Sequence, residues 1–207
     1  MSGLQSMSYS DFTLKRVKEE LNINVVENRD IFSHIKGTEI SDILLTILKY
    51  NVPLAVAIGT TIARSEMIVV NVLIEVKRIL EEKISLFSGI NFDVDKGRSL
   101  NGFCDFIISK SPEQFYINAP VIAIVESKDD KTTSGLGQCV AEMYASSIFN
   151  EKDEQQLPTI YGAITTGSNW RFLKYKDNTA FIDFDEYPIE NASKIVGILV
   201  NMLNQNA

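Results

Sequence analysis

The sequence predicts an α/β domain built on a mixed sheet of four or more strands with helices on its faces. The main observation is the order of the elements, which runs helix, three strands, helix and strand, followed by a hairpin and a closing helix. The second is the run from Val121 to Glu126, whose residues before the glutamate are all apolar, as in a central strand covered on both sides. The third is the composition, with 45% apolar and 23% charged residues, which is ordinary for a globular domain.

Residues 1–60 are predicted to form a helical extension that precedes the main domain. A short helix capped near Ser10 comes first, and residues 22–30 are expected to form a short strand or a loop. A second helical pattern opens at Ser41, where serine and aspartate are well suited to the first turn. We expect Pro53 to interrupt that helix, because proline lacks the backbone N–H that the helix requires.

Residues 61–207 are predicted to form the main domain, beginning with a helix that Ser65 caps. Apolar residues recur at helical spacing from there to Ile84. Apolar runs bounded by turn residues then predict strands at residues 87–94, 100–109, 121–126 and 159–165, and a hairpin at residues 170–175 and 180–184. Helices are predicted at residues 136–149 and 189–203.

Composition excludes several classes of protein. The 207 residues carry a formal net charge of -7, which argues against a protein that coats nucleic acid with a generally basic surface. Two cysteines and one histidine, His34, are too few for a disulfide framework, a cysteine-based zinc cluster or most zinc hydrolases. We find no signal peptide and no run long enough to span a membrane, so we expect a cytoplasmic protein without a membrane partner.

Charged residues stand at the ends of two predicted strands. Glu126 and Lys128 are two positions apart and therefore point to the same side of their strand, and strand pairing would bring Asp105 beside Glu126. Two carboxylates suit Mg²⁺ or Mn²⁺, and the backbone carbonyl of Ser127 can face the same edge. Such an ion would activate water, while Lys128 would stabilise the charge that develops on a phosphodiester.

The pattern Asp105 followed by Glu126-Ser127-Lys128 resembles the PD-(D/E)XK phosphodiesterase superfamily over about half of the chain. The sequence around this pattern, in particular Gly102 before the aspartate and residues 135–139 after the lysine, resembles a group of bacterial members of the superfamily. These uncharacterised members are similar to the nuclease domains of type I restriction subunits. The sequence departs from the superfamily at Cys104, where the superfamily name has proline.

The resemblance implies a restriction-endonuclease-like fold and a Mg²⁺-dependent endonuclease that acts on DNA. It implies that the catalytic residues are Asp105, Glu126, Lys128 and Gln138. The metal ligands would be Asp105, Glu126, Ser127 and Glu66, with Glu75 as the weaker choice for the helix acid. The chain is also compatible with a homodimer.

Three alternatives stay open at this point. The charges at the strand ends could form a solvated ion pair of little energetic value. The same fold could serve as a non-catalytic nucleic-acid-binding or assembly module, which the net charge of -7 favours. The pattern could also be accidental in an unrelated α/β enzyme.

Overall fold

The fold is organised around one mixed sheet of eight strands. The computed structural model describes residues 7–81, 83–128 and 131–205. The strands follow the order β1-β7-β6-β5-β4-β3-β2, with β8 paired to β6. In chain order they are β1 (Asn24–Arg29), β2 (Ser85–Asn91), β3 (Phe103–Ser109), β4 (Val121–Ser127), β5 (Ile160–Thr165), β6 (Asn169–Lys176), β7 (Thr179–Asp183) and β8 (Tyr187–Pro188). The predicted α/β class with a mixed sheet flanked by helices is therefore confirmed.

Helices cover both faces of this sheet and enclose two apolar cores. They are α1 (Leu14–Glu20), α2 (Asp42–Ile58), α3 (Thr61–Arg64), α4 (Val70–Ile79), α5 (Leu136–Lys152) and α6 (Ala192–Asn204). Leu44 of α2, Val72 of α4 and Ile195 of α6 belong to one core. Val17 of α1 and Val140 of α5 belong to the other.

β4 lies inside the sheet, between an antiparallel partner, β3, and a parallel partner, β5. Each of its residues from Val121 to Ser127 is buried. The apolar sequence of this strand follows from its position, because both of its faces are covered by helices. The charged end of β4 is thus held in a rigid part of the molecule.

The residues before 60 contribute to the same sheet and cores as the rest of the chain. Residues 24–29, left open between strand and loop, form β1, which pairs in parallel with β7. The short helix begins after Thr13, whose hydroxyl accepts from the Arg16 N–H, so the cap predicted near Ser10 is wrong. The division into residues 1–60 and 61–207 stays a prediction.

Pro53 does not interrupt its helix. α2 continues through it to Ile58, with Ser41 as the N-cap, as predicted. Proline removes one hydrogen bond in a helix interior, but Pro53 and its surroundings are exposed, so water can solvate the carbonyl that is left without a partner. Leu44 and Ala55, on either side of it, anchor both halves of the helix in the core.

The first helix of the main domain begins earlier than predicted. Thr60, and not Ser65, is the N-cap, since its hydroxyl accepts from the Ala63 N–H. Ser65–Val69 form a π-helical turn between α3 and α4, in which the Val70 N–H reaches the Ser65 carbonyl. Two asparagine amides, from Asn51 and Asn71, donate to the Met67 carbonyl in this widened turn.

The remaining elements lie close to their predicted positions. The hairpin of β6 and β7 turns at Asp177 and Asn178, which both have positive φ, as its asparagine-containing turn predicts. Across the described ranges, we find no helix that combines the length and the apolar character needed to cross a membrane.

Candidate functional site

The ends of β3 and β4 bring Asp105 and Glu126 together. The strands are antiparallel with Phe106 opposite Val125, and beyond this pair Asp105 and Glu126 are linked through their side chains. The Asp105 carboxylate accepts the Ser127 N–H at 2.7 Å, and Glu126 Oε1 accepts the Asp105 N–H at 3.3 Å. The side chain of each residue is thus fastened to the backbone of the other strand.

Lys128 and Gln138 complete a hydrogen-bonded group with Glu126. Lys128 Nζ donates to Glu126 Oε2 at 3.2 Å and to Gln138 Oε1 at 2.8 Å. The Gln138 amide also donates to Glu126 Oε2, at 2.7 Å. Gln138 lies in the first turn of α5, so this helix holds the lysine and the glutamate in one arrangement.

Gly135 leaves the space that the Lys128 side chain occupies. A Cβ at this position would lie 2.7 Å from Lys128 Cε, which is too close for any larger residue without movement. The Lys128 backbone is fixed as well, since its N–H donates to the Thr165 carbonyl of β5 at 2.8 Å. The lysine is therefore held at both ends, with 22% of its side chain exposed.

The other face of the site is formed by the π-helical turn. The Ser65 hydroxyl donates to the Ser127 hydroxyl at 2.7 Å, which ties this turn to the end of β4. Glu66 is exposed and lines a surface cavity together with Ser65 and Asp105. Widened turns of this kind are frequent at functional sites, because they change the direction of side chains along a helix.

Glu75 lies elsewhere. It is buried between α2 and α4, where its carboxylate accepts from the Ser41 N–H, the Ser41 hydroxyl and the Arg78 guanidinium. These bonds hold the pKa of Glu75 at about 2, with the hydrogen bond from Arg78 as the largest cause. Of the two helix acids considered from the sequence, Glu66 is the one that shares a cavity with Asp105. Among the described residues, Glu66, Asp105 and Glu126 do not bring three ligand atoms within 4.8 Å of one another.

Electrostatics single out Glu126 within the group. Only 1% of the residue is exposed. Burial, reinforced by the nearby Asp105 carboxylate and opposed by Lys128, raises the pKa of Glu126 to about 7. A carboxylate in this position gains from any additional positive charge placed beside it.

Sequence reasoning missed Glu142, which lies one helical turn after Gln138 on α5. Glu142 is completely buried, and its Oε1 accepts from the Gln138 amide at 3.0 Å. Burial, followed by the charge of Glu126, raises its pKa well above the usual range. A signal was present, since Glu142 is a lone acid within the apolar run Val140 to Met143 and is spaced i, i+4 from Gln138.

Four further residues with chemically useful side chains have structural surroundings. Trp170 is fully buried in the core, so it offers no exposed surface for stacking. Cys104 and Cys139 are free and buried. Arg98 donates to the Tyr144 hydroxyl and to Asp95 at the surface.

No protein-family model matches the sequence, and no curated protein matches it.

Proposed function

We propose that this chain is a metal-dependent phosphodiester hydrolase with a restriction-endonuclease-like core, and that it cleaves DNA as an endonuclease. The observation that carries the proposal is the convergence of Asp105, Glu126, Lys128 and Gln138 at the ends of β3 and β4. Two acids on adjacent strands and a fixed lysine are what water activation and charge stabilisation at a phosphate require. The resemblance to the PD-(D/E)XK superfamily supplies DNA as the substrate.

The residues of the site fit a divalent ion. Carboxylate and carbonyl oxygens are the ligands that Mg²⁺ and Mn²⁺ prefer, and Asp105 and Glu126 would hold the ion, with the Ser127 carbonyl and Glu66 as further ligands. When bound, the ion would lower the pKa of a coordinated water and offset the charge of the phosphodiester. Glu126 is almost fully buried, so its charge is poorly solvated in the protein alone.

The chain's own residues would orient the reactants. Lys128 Nζ would donate to the attacking water and to the phosphate oxygens, because its head group is held at the same carboxylate. Gln138 fixes both groups through its amide, and so it would set their separation before substrate arrives. Preorganised charge of this kind stabilises a transition state without reorganisation during the reaction.

The first test is cleavage by the purified chain. We expect it to cut single-stranded, duplex or branched DNA in Mg²⁺ or Mn²⁺ and to cut none of them in EDTA. Asp105→Ala should abolish cleavage and also the rise in melting temperature that Mn²⁺ gives the parent, because ligand binding stabilises a folded protein. Asp177→Ala, in the β6–β7 turn, serves as the control and should keep both properties. Equal Mn²⁺ shifts in the parent and Asp105→Ala would remove Asp105 from the metal site.

A non-catalytic nucleic-acid-binding or assembly module is the second candidate. Within this candidate the net charge of -7 favours the assembly role, because DNA binding draws most of its strength from cations that contact phosphates. It predicts a parent protein that cuts none of the three DNA substrates under any metal condition. In that case, any effect of Lys128→Ala would be confined to nucleic-acid affinity.

A further inference from the structure

A closed group of three metal-ligating side chains lies between β3, β4 and α5. Cys104 Sγ and one carboxylate oxygen from each of Glu126 and Glu142 all lie within 4.8 Å of one another. Exposure is 0% for Cys104, 1% for Glu126 and 0% for Glu142. Exposed acids often cluster without consequence, but these three groups are buried together. Of the three, only Glu126 belongs to the proposed catalytic group.

Glu142 provides a second and separate observation. Its Oε2 is buried and makes no regular hydrogen bond with any described residue. The polar groups beside it are the Cys104 thiol and the Glu126 carboxyl, and both interact with the Glu142 carboxyl without regular hydrogen-bond geometry. Folded proteins retain few buried polar atoms without a regular partner, because such atoms give up the hydrogen bonds that water would supply.

We propose that Cys104, Glu126 and Glu142 bind a divalent transition-metal ion of the Zn²⁺ or Co²⁺ class. A thiolate favours such borderline-soft ions over Mg²⁺, and carboxylates are accepted by both. The charges also balance, because a thiolate and two carboxylates oppose a divalent ion and the Lys128 ammonium. The ion would replace these irregular contacts with a regular bond to Glu142 Oε2.

The geometry requires only a modest closing of the group. Ligand atoms at about 2.0–2.3 Å from a tetrahedral ion are separated by roughly 3.5 Å, so the three atoms, which lie within 4.8 Å of one another, need to approach by no more than about 1.3 Å. Gln138 already orients both carboxylates, since its amide donates to Glu126 at 2.7 Å and to Glu142 at 3.0 Å. Outer hydrogen bonds of this kind hold metal ligands in position.

This site is independent of the proposed nuclease function. It uses Cys104 and Glu142, which the hydrolase proposal does not need, and it does not use Asp105. Glu126 is shared, with Oε1 directed to the Asp105 backbone and Oε2 to Gln138 of α5. A failure to cleave DNA would therefore leave the site intact, and a failure to bind Co²⁺ would leave the hydrolase proposal intact.

The test is a Co²⁺ titration of the full chain, followed by absorption spectroscopy, at mildly alkaline pH with a phosphine reductant. A Co²⁺–thiolate bond gives a charge-transfer band in the near ultraviolet, which carboxylate sites do not give. We expect one equivalent of Co²⁺ to produce the band and Zn²⁺ to remove it. Cys104→Ser should abolish the band. Glu142→Gln should weaken Co²⁺ binding at least about tenfold, which is the lower end of the loss in affinity when groups that orient a metal site are replaced.

Cys139→Ser is the matched control, because Cys139 is also buried on α5 but lies outside the group. It should keep the band, and so should Asp105→Ala. Thermal unfolding in EDTA checks that each variant folds; if Cys104→Ser does not, the parent band and Glu142→Gln decide the question. A parent without a band at saturating Co²⁺, a band that survives in Cys104→Ser, or unchanged affinity in Glu142→Gln would overturn the proposal.

Discussion

The Lys128 ammonium is held in one position at the candidate site. It is bonded to Glu126 and Gln138, and Gly135 provides the space for its stem. A lysine at a surface normally loses considerable side-chain entropy when it is held in one position. Here the side-chain entropy of Lys128 is lost during folding, so the charge is already in place when a substrate binds.

We predict that Lys128→Ala slows DNA cleavage by at least about a hundredfold, the scale of losing one preorganised electrostatic group. DNA affinity should change little, because one lost cation removes at most one phosphate contact. Single-turnover cleavage rates and equilibrium binding on the same DNA measure the two effects separately. Lys131→Ala, an exposed neighbour outside the bonded group, should leave the rate within about twofold of the parent, well below the effect of a preorganised group.

A Lys128→Ala variant that cuts as fast as the parent would remove the lysine from the mechanism. A variant whose only defect is in binding would favour the non-catalytic module instead.

Individual site residues could be predicted to different extents. Strand alternation placed Glu126 and Lys128 on one side, and both contact Gln138. Glu142 could not be placed in the same way, because its role depends on how α5 docks on the sheet. Helical spacing relates it to Gln138, but only the packed structure shows that Cys104 and Glu126 lie beside it.

At the scale of elements, caps and breakers were the least predictable features. Ser65 and Thr60 are both good N-cap residues, and local sequence does not indicate at which of them the helix begins. The helix extends back to Thr61, and the Met67 carbonyl in the π-helical turn after it accepts from Asn51 and Asn71. One of these donors comes from another helix, so its effect is tertiary and invisible to local patterns.

Gly137 permits close contact between α5 and the segment before α1. A Cβ at this position would lie 2.3 Å from the Phe12 carbonyl oxygen and 2.5 Å from Thr13 Cα. Helix propensity alone predicts that Gly137→Ala stabilises the protein by about 1 kcal/mol. We predict the opposite sign, a loss of about 1–3 kcal/mol in the free energy of unfolding, because backbone must move to admit the methyl group.

Urea denaturation of the parent, Gly137→Ala and Gly97→Ala decides the sign. At Gly97, an added Cβ would approach only the Asp95 side chain, at 3.3 Å, so this control should stay within about 0.5 kcal/mol of the parent. A more stable Gly137→Ala would show that this contact is looser than the structure indicates.

Glu75 links α2 to α4 and should make stability depend on pH. Its pKa of about 2 in the folded protein lies below the ordinary value of 4.5, so the ionised form favours folding. This contribution is complete above about pH 4.5 and is lost as the pH falls toward 2. We predict that Glu75→Gln lowers the free energy of unfolding by about 1–3 kcal/mol at pH 7, and that the difference shrinks at pH 3.

The comparison requires denaturation curves of both proteins at the two pH values. Glu19→Gln is a suitable control, because Glu19 forms an ion pair with Lys15 in which both side chains are largely exposed. Exposed pairs contribute little to stability. A loss for Glu75→Gln that is equal at pH 7 and pH 3 would assign it to packing and not to charge.

At the scale of the whole molecule, the class of fold could be predicted from the sequence, but the pairing of the first strand with the rest of the sheet could not. Apolar strands alternating with helices are enough to indicate an α/β sheet, and β4 lies inside that sheet, as its sequence predicts. The pairing of β1 with β7 could not be foreseen. It joins Val25 to Ala180, which are distant in sequence, and no local pattern relates the two segments.

The same pairing has a consequence for the order of events during synthesis. Residues 24–29 leave the ribosome well before residues 179–183, which are their sheet partner in the part of the chain that the structure describes. Contacts between distant segments form late, because the intervening loop must first be closed. We predict that pulsed hydrogen exchange during refolding protects the amides of β1 after those of β3 and β4. Equal or earlier protection of β1 would contradict this order. Until β7 arrives, a nascent chain exposes an unpaired edge, which is where association between incomplete chains begins.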